Sequence, residues 1–492
     1  MVKFDLYTKE DMDKQTNYIK QISFKIINKM DRRSFFKNSA MAGGALCVGG
    51  AATSSVLTSC GSAEGQAAGG AAGYTPLTSP RAVYLPQCAD KAIDGKPIKA
   101  GIIGCGARGG GAAFNFLDAG DKLSIVAMAD IFPDRLETLR KRLKEQKKNE
   151  VADDKIYYGF DAYKKLCDDP ELDMVIIATP SIFHADQVKY AIEKGKHVFC
   201  EKAAGIDPTS CRTFFAAVKQ AQAKGLCIVT GAQRHNHRSY IASYEQIRNG
   251  LLGRIQSAVV KWNQGHMNFA KRKPEWTDME YMLRDFFSWN WLCGDHIIDQ
   301  LVHNIDVFNW FSHLKPISAV GMGSQLQRQT GDIFDNFALD IEYEGNVRVQ
   351  AQARQIDGCA NDVSETIYGT KGWWSSKDFT IRDLDNNVVW KYDKEKEKAT
   401  YKQNNPYVLE HMDLINHIRK GEPLTINAEI LVSSSLTGAM CREAAYTGKK
   451  VMYDEYMTSS QSLMLPEMHL GNLPNFDSFV APKQGKRPPM KK

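Results

Sequence analysis

Paired cysteines are missing from this chain. Eleven cysteines occur in 492 residues, but none form a Cys-x-x-Cys pair, and the nine beyond residue 60 stand singly. An odd, unclustered set describes neither a disulfide framework nor a zinc site, and reads mostly as small buried hydrophobes. Long apolar runs are also lacking after the N-terminal segment, so nothing later approaches a membrane span. A basic body is lacking as well. The formal charge is +6, yet residues 1–60 hold nine Lys/Arg against five Asp/Glu, and residues 481–492 hold five Lys/Arg and no acid. What lies between is slightly acidic, which argues against nucleic acid as a partner. With 43% hydrophobic and 24% charged residues the composition is that of a globular protein, long enough for two cores.

What is present begins with an address. Asp31-Arg32-Arg33-Ser34-Phe35-Phe36-Lys37 precedes a weakly apolar run from Ala40 to Val56, the order of a twin-arginine export signal. Leu57-Thr58-Ser59-Cys60 closes the run and resembles a bacterial lipobox. The expected location is the periplasm or cell envelope, with Cys60 as lipid anchor and no other membrane contact. The bland alternative is a small-residue helix with an accidental arginine pair. Met30 stands immediately before the signal, so residues 1–29 read as an upstream extension, 30–60 as the signal, and 61–96 as a flexible tether or arm.

Ile98-Lys99-Ala100-Gly101-Ile102-Ile103 reads as a buried strand running into Gly104-Cys105-Gly106-Ala107-Arg108-Gly109 and then a helix. In such a turn Gly104 permits the bend, Gly106 lets the backbone approach a pyrophosphate, and Gly109 lets helix and strand pack closely. The test of a GxGxxG is an acid at the end of the next strand. Leu123 to Ala129 is that strand and Asp130 ends it, placed for an adenosine ribose and unfavourable to a 2′-phosphate. NAD is therefore expected, with Arg135 leaving NADP as an alternative. Strands at 174–178 and 197–200 alternate with helices, specifying an α/β, doubly wound parallel Rossmann sheet over 97–225 with its ligand at the strands' carboxyl ends. From about Ile255 to Trp390 the pattern turns to half-buried antiparallel strands. An α/β domain with an open, mainly antiparallel sheet is expected over 226–405, returning helices over 406–455, and an arm or disordered tail over 456–492.

Thr179-Pro180-Ser181-Ile182-Phe183-His184, Gly195 to Lys202, and Gly294 to Asp306, together with the glycine turn, resemble the Gfo/Idh/MocA family over roughly 97–455. The family's Glu-Lys-Pro motif reads Glu201-Lys202-Ala203 here, so its proline is missing. The resemblance implies that Lys202 contacts nicotinamide ribose and substrate, and that Asp299 and His303 are the catalytic pair. It also implies a homo-oligomer built on the open sheet. The cofactor-binding set becomes Gly104, Gly106, Ala107, Arg108, Gly109, Asp130, Arg135, Thr179, Pro180, His184, Glu201 and Lys202.

The residues support that chemistry independently. Asp299 and His303, four apart in a helical stretch, can share one face. Oxidising a secondary alcohol needs a base for its proton, which a histidine can supply, while Lys202 steadies charge on the oxygen and Asp299 orients the imidazole or binds a neighbouring hydroxyl. The roles of Lys202 and His303 are exchangeable at this stage, and the plain alternative is a helix-surface ion pair. Arg234 and His235 resemble positions near the family's substrate cleft, and Asp295 is placed with them. His235 and His237 lack a third ligand, so no metal is expected. Trp289 and Trp291 are the aromatics chosen to face a sugar ring. The expected substrate is a sugar, glycoside or polyol. A glycosidase working through an NAD redox–elimination cycle and a non-catalytic sugar-binding lipoprotein are the competing readings.

Overall fold

The computed structural model describes residues 84–86, 88–267 and 269–485. The export signal, Cys60 and the extension before it lie outside the described residues.

Six parallel strands make the first sheet: β1 (Ile98–Ile103), β2 (Leu123–Asp130), β3 (Ile156–Tyr158), β4 (Met174–Ile177), β5 (His197–Cys200) and β6 (Ile228–Thr230). Their order is β3-β2-β1-β4-β5-β6, the doubly wound arrangement whose strand order reverses between β1 and β4 and leaves a crevice there. The connecting helices are α1 (Ala107–Asp118), α2 (Pro133–Lys147), α3 (Ala162–Cys167), α4 (His184–Glu193) and α5 (Pro208–Lys224). Strands β1, β4 and β5 are almost wholly buried, as a sheet covered on both faces requires. α5 shows how locally these boundaries are set. Asp207 caps its amino end by accepting from Ser210 N–H at 2.7 Å, Pro208 opens it, and Gly225 closes it at φ +69°. β6 pairs with β5, so the first sheet runs past residue 225 and its boundary moves to after Thr230.

The second half contributes α6 (Arg238–Arg248), β7 (Ile255–Gln264), α7 (Asp278–Arg284), α8 (Asn290–Cys293), α9 (Val302–Ser312), β8 (Pro316–Ser324), β9 (Asn336–Tyr343) and β10 (Val347–Gln355). It continues through β11 (Asp362–Gly369), β12 (Gly372–Ser375), β13 (Thr380–Asp383), β14 (Val388–Lys391), α10 (Lys394–Thr400), α11 (Pro406–Lys420), α12 (Ile426–Thr447), β15 (Val451–Met452) and α13 (Tyr453–Thr458). Nine strands form one sheet in the order β14-β13-β12-β11-β7-β10-β9-β8-β15, antiparallel except where β7 and β10 run parallel. β10 alternates buried and exposed residues, because α9 and α12 cover one face only. α11 returns to pack on α1, and α12 packs on α5 and β6. Among the described residues no helix is long and apolar enough to cross a membrane.

The segment after α13, expected as an arm or a disordered tail, packs on the body over its described residues. Leu463, Met464, Leu465, Met468, Leu473, Phe476 and Phe479 pack against the core, held by backbone hydrogen bonds described below. Its apolar residues, spaced at short intervals, find a ready surface that the local sequence gives no sign of.

Candidate active site

The crevice at the carboxyl edge of the parallel sheet is built first by glycine. Gly104 holds φ +91°, and a Cβ there would sit 2.7 Å from the Ala178 carbonyl. A Cβ on Gly109 would lie 1.8 Å from Gly104 O, so only glycine lets α1 approach β1. Gly106 is different: its Cβ would meet nothing nearer than Arg135 Nη1 at 4.0 Å, because it faces open space. No side chain caps the amino end of α1, which leaves its N–H groups available to an anion.

That space is a cavity of about 830 Å³, near the upper end of the range for ligand sites. Gly104, Gly106, Ala107, Arg108, Asp130, Arg135, Thr179 and Pro180 line it. Asp130 Oδ2 accepts from Cys105 N–H at 2.6 Å and Oδ1 from Phe132 N–H at 2.9 Å. Burial pushes its carboxyl above the usual range while those bonds and Arg135 pull it back. The donor set fits a dinucleotide: an uncapped helix terminus, a glycine where a side chain would intrude, and an acid with spare lone pairs at the ribose position.

His184 lies elsewhere. It is fully buried, its Nδ1 2.7 Å from Ala203 O and its Nε2 2.8 Å from Thr179 O. It ties together the two loops that carry Thr179-Pro180 and Lys202-Ala203, and so positions the crevice without lining it. The Lys202–Ala203 peptide is cis. Glu201 also turns inward, bound by the Arg108 guanidinium at 2.5 Å. Arg108 lies 3.6 Å from Glu410 as well and stands over the Tyr407 ring at 4.6 Å. Glu410 is fully buried, and burial together with the nearby Glu201 carboxylate holds its own carboxyl well above the usual range.

At the end of β5, Lys202 Nζ donates to Asp299 Oδ1 at 2.7 Å and to the Asp299 carbonyl. Asp299 sits in a π-helical turn, Ile297–Leu301, that leads into α9. This turn differs from the regular helix expected to carry both Asp299 and His303. No hydrogen bond joins these two, and the carboxylate faces the lysine. Such turns are rare and recur at functional sites. His303 lies under the Trp262 ring, centroids 5.5 Å apart. Burial, then the charges of Lys202, Arg234 and Arg108, hold its pKa well below the usual histidine value, so it is neutral.

The expected substrate residues divide. Arg234 forms a buried ion pair with Glu365 and adds to the positive surroundings of His303. Glu365, missed in the sequence because it reads as one of several polar residues in a strand, is fully buried. It also accepts from Asn304 Nδ2 at 2.5 Å and Tyr240 Oη at 3.0 Å. His235 is a core residue, its Nε2 2.6 Å from Asp306 Oδ2 and its ring stacked on Trp310. Asp295 is fully buried and accepts from Phe334 N–H at 2.9 Å and Tyr446 Oη at 2.5 Å. Trp289 and Trp291 are only 4% and 3% exposed, and neither lines the cavity. Large aromatics bury first when a surface is offered, and here it is: Tyr281 and Phe476 pack on Trp289. Among the described residues no group of three or more His, Cys, Asp or Glu is arranged to hold a metal ion.

Residues 98–230 match the model described as "Oxidoreductase family, NAD-binding Rossmann fold", and residues 244–453 the model described as "Oxidoreductase family, C-terminal alpha/beta domain". The chain is 20% identical over 373 residues to a Thermotoga maritima protein named myo-inositol 2-dehydrogenase, covering 73% of this chain and 99% of that one. It is 40% identical over 105 residues to a Bacteroides fragilis protein named glycosyl hydrolase family 109 protein 1, but this covers only 21% and 22% of the two chains. In fold it resembles the crystal structure of scyllo-inositol dehydrogenase from Lactobacillus casei with bound NAD(H) and scyllo-inositol, with TM-score 0.56, 20% identity, and coverage of 73% of this chain and 100% of the other.

Proposed function

Because the chain belongs to the Gfo/Idh/MocA oxidoreductase family, we propose that it oxidises or reduces a hydroxyl of a sugar, glycoside or cyclic polyol with NAD that it keeps bound. The observation that carries this reading is the Lys202–Asp299 ion pair at 2.7 Å at the carboxyl end of β5, the strand beside β4, whose following residues Thr179 and Pro180 line the dinucleotide cavity. Inositol dehydrogenases among the relatives support a polyhydroxylated ring as substrate.

Bound in the cavity, NAD supplies the acceptor for the hydride of the carbinol carbon. The chain's residues manage the proton. His303, neutral and therefore free to accept, takes the hydroxyl proton on a ring nitrogen. Lys202 donates to the same oxygen and steadies the negative charge that develops there. Asp299 keeps Lys202 aimed, and in the reverse direction His303 returns the proton. Trp262 gives the imidazole an apolar wall, and burial keeps competing water from it.

The twin-arginine signal and lipobox support export, since that route carries folded proteins and a retained cofactor would travel inside. An enzyme holding its NAD away from the cytoplasmic pool must reoxidise it within its own cycle, by reducing a second sugar or the intermediate it has made. The test is to release and identify the nucleotide from the purified folded protein, then follow reduced nicotinamide absorbance while glycosides and polyols are added. NAD that is released, and reduced by one of them, supports the reading; failure to bind NAD at all sinks it.

A second reading has its own observation, the 40% local identity to glycosyl hydrolase family 109 proteins. In it, oxidation is followed by loss of the glycosidic leaving group, addition of water and reduction. Release of the aglycone with no net change in nicotinamide separates it from simple dehydrogenation.

A further inference from the structure

The family match ends at residue 453, and the chain beyond α13 does something the Rossmann domain cannot. It is fastened at both ends. Arg212 Nη1 donates to the Ser459 carbonyl at 2.8 Å, Thr209 Oγ1 to the Gln461 carbonyl at 2.8 Å, and Leu463 N–H to Asp207 Oδ2 at 2.7 Å. Further on, Met279 N–H donates to Gly471 O at 3.1 Å, and Leu473 N–H to Asp278 Oδ2 at 2.9 Å. The first anchors sit at the amino end of α5, in the cofactor domain. The second sit at the amino end of α7, in the other domain.

Between the anchors, Met464 and Met468 line the dinucleotide cavity. α7 closes the neighbouring side with Leu283 and Arg284, which also line it. Arg284 reaches across to Asp134 in the first turn of α2, with Nη1 and Nη2 at 3.1 and 3.0 Å from its two carboxylate oxygens, and its guanidinium stands 4.0 Å from the Phe132 ring centroid. The cavity thus has a Rossmann floor, a wall from the second domain clasped to the floor by a bidentate ion pair, and a strap of two methionines. Methionine is suited to such a place, because an unbranched thioether fills irregular space against an aromatic or heterocyclic face.

We propose that residues 463–473 and the Arg284–Asp134 clasp form a retaining wall for the dinucleotide, so that the cofactor is resident and leaves only when strap or clasp opens. The inference rests on the NAD reading above and adds the residues that would keep the nucleotide in place. Exit past this wall requires breaking contacts that belong to the protein alone, and this slows release without changing what the Rossmann floor recognises.

The experiment loads the full chain with NADH and follows its displacement by excess NAD through nicotinamide fluorescence, in wild type, in Asp134→Ala and in Met464→Ser/Met468→Ser. Asp134 is 62% exposed in its side chain, so its loss spares the core, and a thermal scan of each unliganded protein checks the methionine pair. Wild type is expected to keep nucleotide through gel filtration, and each variant to release it at least about tenfold faster, the loss appearing in the off-rate. Release from both folded variants at the wild-type rate, or rapid exchange in wild type, overturns the wall while leaving the oxidoreductase reading intact. A wild type that binds no NADH overturns both.

Discussion

Among single residues, the most informative feature is a lysine and an aspartate bound to each other beside a histidine that shares neither bond. Lys202 is ion-paired to Asp299, while His303 has no carboxylate partner and three cations in its field. Replacing Lys202 by Met should lower kcat by about 10²–10³-fold, the usual cost of losing one preorganised donor to a developing oxyanion, with NAD still bound. Steady-state kinetics beside nucleotide titration checks this, and a variant that keeps wild-type turnover sinks the role. The pH dependence has a definite sign. A base must be unprotonated to act, and the folded-state pKa of His303 is depressed from its ordinary 6.5. The acid limb of kcat/KM should therefore fall below pH 6.5, activity persisting where an ordinary histidine is half charged. An acid limb at or above that value would assign the base elsewhere.

At the scale of elements, the site depends on two departures from regularity. The β1–α1 turn must let helix and strand touch, and Gly109 is where they do, with Gly104 O 1.8 Å from any added Cβ. Gly109→Ala should displace the first turn of α1, abolish NAD binding and cost about 1–3 kcal/mol by overpacking, read by calorimetric titration and chemical unfolding. Unchanged NAD affinity would show that the turn does not hold the cofactor. The π-helical turn before α9 is the second departure. Sequence spacing suggested Asp299 and His303 on one helical face but could not show that Asp299 would sit in a π-helical turn with its carboxylate bound to Lys202. The glycine turn and the acid ending β2 were legible because their chemistry is local. Trp289, Asp295 and His235 are buried against Phe476, Tyr446 and Trp310 respectively, which are distant in sequence, so local pattern could not show where they lie.

At the scale of the molecule, the described residues form one compact unit although they hold two sheets. The reason is α11 and α12, which come late in the chain and pack back on α1, α5 and β6, with Ser435 Oγ accepting from Ala204 N–H at 3.1 Å. The folded body should therefore unfold in one cooperative transition that NAD raises as a whole; two calorimetric transitions, with only one responding to NAD, would refute this. The sequence by itself determined the α/β class, the parallel sheet with its glycine turn and the open second sheet, and put forward Lys202, Asp299 and His303 as candidates, because periodicity, turn chemistry and motif order are written in neighbouring residues. Only the tertiary structure decided that Asp299 binds Lys202, that Glu365 and Glu410 are buried, and that Met464 and Met468 line the dinucleotide cavity. Those outcomes depend on which surfaces meet after the chain has folded, and contacts between residues hundreds of positions apart leave no local pattern.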